Sequence, residues 1–414
     1  MRDHHACLTL KLHVIEAMMS KRLRDLSNAS RLWVAAGQVN PPIANQFVYE
    51  GRGIFDVALW RKAVEAASAA NPGLRLTLKG HLGASGWFDS GMPTPLRVVE
   101  APDWDGRGSV NAPFLESGFP CRGGSMAEVI LIQGDPARVI FRSHHAIMDG
   151  RGTFTWAEDV FRALRGENIR ASNVAIIEDD LLNITTARTG KPIPQRFVAP
   201  RLKTPGGERG VIWRRLTIQG RFARLLPQVM LLTAKEIWRT ASGPVRFGIP
   251  VDLRSRRENI RSTGNLTNAI FLNIPPASTV DDLARELSRR LQERRDGQVT
   301  WEDKVVRYLP LKVLEVALLA EARRSHRLGN YRCSGLISNV GRADLESFHG
   351  GGFMAENYWA IPVCLESIPL SIVMTGCGDT VNILLAMPKA LAQYEDLDEI
   401  LGRMAAGLTP VTDV

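Results

Sequence analysis

Between Val139 and Ser143 the apolar and polar positions predict a strand with one face on a core. Downstream, Phe154, Ala157, Val160, Phe161 and Leu164 recur at helical spacing, and Gly166 stands where such a helix would stop. The residues between, His144 to Gly150, leave a strand end and enter a helix, a common place to present chemistry to a cleft. Residues 127–133 predict a second strand, paired with 138–143 through Gly134-Asp135-Pro136. Upstream, the stretch 24–34 contains Ser27 as a candidate helix cap, and Phe47–Gly51 reads as a strand ending in a turn. Leu59, Ala63, Val64, Ala67 and Ala70 follow helical spacing up to the stop at Asn71-Pro72-Gly73, after which Leu74–Leu78 alternates as a strand.

The second half repeats the mixture. Strands are predicted over 211–218, 245–251, 269–274 and 335–341, the last ending in a Gly341 turn. Helices are predicted over 225–241, 283–295, 309–324 and 397–408. Leu370–Thr375 and Val381–Met387 alternate around Gly378-Asp379, a hairpin signal. From about Asp179 to Gly207 the chain is rich in Thr, Pro, Gly and Arg, including runs at 191–194 and 204–207. This predicts a first lobe over 1–178, a crossover over 179–207 and a second lobe over 208–414.

Composition narrows the picture. A chain of 414 residues with 45% hydrophobic and 23% charged residues suits a globular protein of two sizeable lobes. No apolar run approaches the roughly 20 residues that span a bilayer, and the start, with Arg2, Asp3, His4 and His5, does not read as a secretory signal. The five cysteines are odd in number and unpatterned, as expected of reduced thiols in a cytoplasm. The formal charge is +9, with much of the excess between Arg188 and Arg224 and between Arg254 and Arg261. No aromatic-basic platform supports a nucleic-acid partner. The remaining readings are an attraction for anionic donors and a merely solvated basic surface.

The candidate chemistry is His144-His145-x-x-x-Asp149-Gly150. A neutral imidazole, with a reference pKa of about 6.5, suits removal of a proton from an attacking amine or alcohol near neutral pH. The rival readings are a satisfied core pair and a metal site, but no His/Cys/Glu cluster with metal spacing lies near the pair. His4-His5 are followed by no Asp-Gly and read as a decoy in a lightly packed end.

This motif resembles that of the acyltransferase superfamily that includes nonribosomal-peptide condensation domains and CoA-dependent acyltransferases. Two further stretches are similar: strand, helix, Asn-Pro-x-Leu-Arg, strand, then Trp87; and Pro250-Val251-Asp252-Leu253-Arg254 with a later Gly264-Asn265. The resemblance implies two chloramphenicol-acetyltransferase-like α/β lobes in a V with a central tunnel. It implies a site of His144, His145, Asp149 and Gly150, with His145 acting at the reacting centre and Asp149 held by Arg254. Gly150 is expected to allow a conformation or close approach that a side chain would block.

The same resemblance makes Ser338 or Asn339 an oxyanion donor across the cleft, against a structural Asn in a turn. Trp359 or Tyr358 lines a channel or belongs to the core. Many condensation domains carry a small hydroxyl residue two positions after the motif glycine, whereas Arg151-Gly152 occupy that turn here. Arg151 is then either an outward surface residue or a contact to an anionic acceptor or pantetheine phosphate. The implied activity moves an acyl or aminoacyl group from a phosphopantetheine thioester on a carrier protein to an amine or hydroxyl, with no intrinsic metal or redox cofactor. The alternatives are a CoA-dependent O-acyltransferase and a silent module that binds a carrier protein.

Overall fold

Alternating side chains on long strands, buried on both faces, organise the molecule. The computed structural model describes residues 21–182, 196–202, 208–294 and 308–411. His4-His5 and the proline- and glycine-rich runs at 191–194 and 204–207 lie outside the described residues. The strands of the first half are β1 (Arg22–Asp25), β2 (Ala44–Gly53), β3 (Leu76–Lys79), β4 (Gly86–Asp89), β5 (Leu96–Val98), β6 (Ala127–Ile132) and β7 (Ala137–His144). Those of the second are β8 (Val211–Gln219), β9 (Val245–Asp252), β10 (Thr267–Ile274), β11 (Gly335–Arg342), β12 (His349–Gly350), β13 (Phe353–Ile361), β14 (Ser371–Cys377) and β15 (Thr380–Pro388). The helices are α1 (Asn28–Val39), α2 (Val57–Ala70), α3 (Gly150–Leu164), α4 (Leu225–Thr240), α5 (Val280–Gln292), α6 (Leu311–Leu328) and α7 (Tyr394–Gly407).

Two six-stranded sheets result, β12-β13-β2-β7-β6-β5 and β10-β9-β11-β14-β15-β8, with a small sheet β1-β4-β3 beside the first. The architecture is mixed α/β with two sheet-rich lobes. Side chains alternate between two cores. On β2, Phe47 and Tyr49 face the helices α2 and α3, while Val48 faces the other way; on β7, Val139 and Phe141 oppose Ile140 in the same manner. Ile140 and Val48 meet Trp213, Leu384 and Ala386 of the second sheet, and Ile383 and Leu385 point on into the second lobe's own core. β7 is thus buried along its whole length on both faces, where its alternation predicts one face on a core.

One strand crosses the expected division of the chain. β13, from the second half, pairs antiparallel with β2 of the first, Tyr358 opposite Tyr49 and Trp359 opposite Val48. The run about Tyr358 and Trp359 is strand-like in sequence, but nothing local names its neighbour. A Cβ on Gly51 would overlap the Met354 carbonyl oxygen, so the pairing requires glycine there. A buried charge cluster ties the same seam: Glu50 accepts from Arg138 at 3.0 Å and from Arg215 of β8 at 2.6 Å. The short strands β1, β5 and β12 are not among the predicted elements, and local expectation also gives way at an edge. The stretch 72–75 is a turn of 3-10 helix rather than strand, because Pro72 favours the first helical position.

Overpacking a sheet seam of this kind costs about 1–3 kcal/mol. Gly51→Ala is therefore expected to lower the urea unfolding midpoint by that equivalent. An unchanged midpoint would show that β2 and β13 do not need the close approach.

Candidate active site

The strand β7 ends at His144, and α3 begins at Gly150 with Asp149 as its N-cap, the carboxylate accepting from the Gly152 N–H at 2.7 Å. The five residues between are in neither helix nor sheet, and Ala146, Ile147 and Met148 have no exposed surface. A buried carbonyl needs a donor, and each one from 145 to 148 has a side-chain donor. Asn265 Nδ2 donates to the His145 carbonyl (2.9 Å) and Ser30 Oγ to that of Ala146 (2.9 Å). Arg24 Nη2 donates to Ile147 (2.7 Å) and Asn45 Nδ2 to Met148 (2.7 Å). The loop is thereby held in one shape.

Asp149 closes it. Arg254 meets the carboxylate as a fork, Nη1 to Oδ2 and Nη2 to Oδ1, both at 3.0 Å. Oδ2 also accepts from the Leu266 N–H (2.7 Å) and the Thr267 hydroxyl (2.9 Å). Burial by itself would raise this carboxyl, but the charge and hydrogen bonds of Arg254, with the Gly152 and Leu266 N–H groups, hold it below the usual carboxylate range. Arg254 is fixed in turn by Asp252 and by the carbonyls of Ser262 and Gly264. Asp149 therefore orients the loop and makes no triad with His145.

The two histidines differ. His144 is 1% exposed, with Nδ1 accepting from the Ala146 N–H at 3.0 Å and Nε2 lying 3.7 Å from Cys121 Sγ. A Cβ at Gly37 would stand 2.6 Å from that Nε2. Burial, then the neighbouring His145, push its pKa down to about 3. The ring is spent on packing and on a backbone donor. His145 is half-buried. Its N–H donates to the Ile43 carbonyl at 2.9 Å, its Nδ1 lies 3.4 Å from Asn265 Nδ2, and its ring stacks on Trp33 with centroids 4.1 Å apart and planes 6° from parallel. Nε2 has no hydrogen-bond partner among the described residues. Burial lowers the pKa of this ring, against the carbonyls of His145 and Met148 and the charge of Asp149, which favour protonation. The result is a neutral imidazole with one free nitrogen, fit to accept a proton.

The remaining expected residues fall as follows. Gly150 needs no special conformation or approach: a Cβ there would make ordinary contact with the Phe47 ring at 3.7 Å. The requirement belongs to Gly152, where a Cβ would overlap the Thr263 carbonyl oxygen, which accounts for glycine at the position where a small hydroxyl residue was expected. Arg151 is exposed on the first turn of α3, its guanidinium 5.2 Å from the Phe154 ring. Asn339 is exposed and uses Oδ1 to accept from the Gly341 N–H (3.0 Å) where β11 is bulged, whereas Ser338 is half-buried within the strand. Trp359 has no exposed surface and packs among Trp104, Trp213 and the Arg215 guanidinium, so it belongs to the core, as does the equally buried Tyr358. Sequence reasoning missed Arg24, Ser30, Trp33 and Asn45. The available signal was the spacing of Ser30, Trp33 and Gly37 on one face of α1. Among the described residues no metal-binding cluster of His, Cys, Asp or Glu occurs, and no helix is long and apolar enough to cross a membrane.

Mixed lobes and a histidine at a strand end define a fold, that of condensation domains and related acyltransferases. A double mutant of the starter condensation domain of rhizomide synthetase RzmA, in complex with C8-CoA and Leu-SNAC, aligns with a TM-score of 0.62 and 16% identity over 92% of this chain and 93% of its own. The trichothecene 15-O-acetyltransferase TRI3 from Fusarium sporotrichioides aligns with a TM-score of 0.59 and 11% identity, over 93% and 94%. The condensation domain of the Monacolin K polyketide synthase MokA gives a TM-score of 0.57 and 11% identity, over 93% and 96%. No family model and no curated protein matches the sequence.

Removing one partner of a buried ion pair costs about 3–5 kcal/mol. Arg254→Met is expected to destabilise by that amount in urea unfolding, and Arg254→Lys, which keeps the charge and loses the fork, by less. His144 gives a pH dependence. Below about 6.5 the unfolded chain binds a proton that the folded ring does not take until about 3. Stability should therefore fall with falling pH across that window, by up to about 1.4 kcal/mol per pH unit from this group. His144→Asn, which keeps an acceptor for the Ala146 N–H, should flatten the slope of unfolding free energy against pH there.

Proposed function

We propose that the chain is a condensation-type acyltransferase. It takes an acyl or aminoacyl group from a phosphopantetheine thioester, delivered on a carrier protein, and passes it to an amine or hydroxyl acceptor. The observation that carries the reading is the His145 imidazole, neutral and held by its neighbours, with Nε2 unengaged among the described residues. In this reading the acceptor attacks the thioester carbon and yields its proton to Nε2. The C–S bond breaks with its electron pair on sulfur, and the proton passes to the departing thiolate. Donor and acceptor enter a tunnel between V-shaped lobes from opposite faces. Ser338 or the amide of Asn339 donates to the developing oxyanion, and Arg151 is open to an anionic group on either substrate.

A CoA-borne donor for O-acylation is the second reading, supported by the likeness to an O-acetyltransferase and by the C8-CoA held in the RzmA domain. A silent carrier-binding module is disfavoured, because binding alone has no need of a positioned imidazole.

Acyl-loaded carrier proteins and matching acyl-CoAs, offered with pooled amines and alcohols, separate these readings by thioester discharge and intact mass. Discharge from the carrier, reduced about 10²–10⁴-fold in His145→Ala, is the expected result. Discharge from CoA alone would select the second reading, and equal rates in both forms would exclude His145 as the base. Because burial lowers its pKa, the base form persists below pH 6.5, and kcat should hold its plateau to more acid pH than an exposed histidine allows.

A further inference from the structure

Helix α1 turns one face towards the motif loop. Ser30, Trp33 and Gly37 stand at i, i+3 and i+7. Ser30 holds the Ala146 carbonyl, the Trp33 indole covers the His145 ring, and Gly37 makes room for His144. The face is itself fixed. Ser27 caps the helix, accepting from the Ser30 N–H at 3.2 Å, and Arg31 donates to the carbonyls of Leu82 and Leu309. Behind it packs α6. The indole thus rests on a rigid support, in near-parallel contact with the group that would exchange the proton.

We propose that Trp33 is a positioning residue of the acyl-transfer site, whose indole face sets the plane of the His145 ring and stabilises the imidazolium formed when Nε2 takes the acceptor's proton. The assignment rests on the acyltransferase reading above. The geometry supports both parts. A stacked ring blocks rotation that would swing Nδ1 away from Asn265 and the loop carbonyls. The indole face carries a negative quadrupole, which attracts a cation placed over it. A neutral imidazole gains little from that field and an imidazolium gains more, so the interaction strengthens as the proton transfers. The other charged groups around the ring are accounted for. Asp149 favours the protonated ring but is held by Arg254 away from position 33, so its contribution is common to all the variants; Arg24 is directed at the Ile147 carbonyl with Glu178 beside it, and His144 is buried and uncharged.

The test uses the full chain labelled with 15N-histidine, in wild-type, Trp33→Leu and Trp33→Phe forms, with His145→Ala to assign the ring. The protonation midpoint of His145 should fall by about half to one and a half pH units in Trp33→Leu, with Trp33→Phe in between. With a saturating thioester donor, kcat should fall about 3–30-fold while KM for the donor stays within about threefold. The acid limb of the kcat profile should move with the midpoint, which a merely structural role would not cause. An unmoved midpoint in a folded Trp33→Leu protein, or an unmoved kcat, overturns the proposal. If Trp33→Leu does not fold, the same criteria apply to Trp33→Phe. If no thioester supports turnover in the wild type, the acyltransferase reading fails, while the midpoints still decide whether the indole stabilises the charged ring.

Discussion

Four consecutive carbonyls, from His145 to Met148, lie buried outside any helix or strand, and the rest of the site follows from the need to give each a donor. The donors come from three separate parts of the chain: Arg24 and Ser30 near the start, Asn45 on β2, and Asn265 in the second half. Asp149 extends the same constraint, joining the cap of α3 to Arg254, to Leu266 and to Thr267 at the start of β10. The loop cannot take this shape in either half alone. Its rigidity is a property of the assembled molecule, and among the described residues it leaves Nε2 of His145 without a hydrogen-bond partner.

The basic excess of the chain looks different once it is placed. Several arginines from the positively charged stretches are part of the scaffold rather than a surface field. Arg215 pairs with the buried Glu50, Arg254 with the buried Asp149, and Arg261 reaches the buried Asp159 at 2.5 Å. Guanidinium is suited to these roles, because a planar fork can satisfy a carboxylate and carbonyls at once. Exposed Arg151, beside the motif, keeps its charge at the surface. An argument from net charge to an anionic partner therefore applies to fewer residues than a count suggests.

The motif region also shows how glycine and aromatic positions divide labour. Gly37 and Gly152 bring α1 and the Thr263 segment against the loop, and Trp33 fills the space above His145. Gly150, by contrast, lies in ordinary helical conformation with room for a side chain. The motif's glycine is thus not the one on which the close packing depends.

The sequence by itself determined the elements whose signals are local. The alternation over 138–143, the helical spacing after Asp149, the hairpin about Gly378-Asp379 and the short motif need only neighbours within a few residues to be recognised. The pairing of Asp149 with Arg254 was legible through resemblance alone, since nothing local links positions 105 residues apart. Tertiary structure alone decided that β13 closes the first sheet, that His144 is a core residue, that Trp359 is buried and that Trp33 lies on His145. Each of these depends on which surfaces meet after distant segments pack. Periodicity specifies that a face is buried, and only the assembled fold specifies what it is buried against.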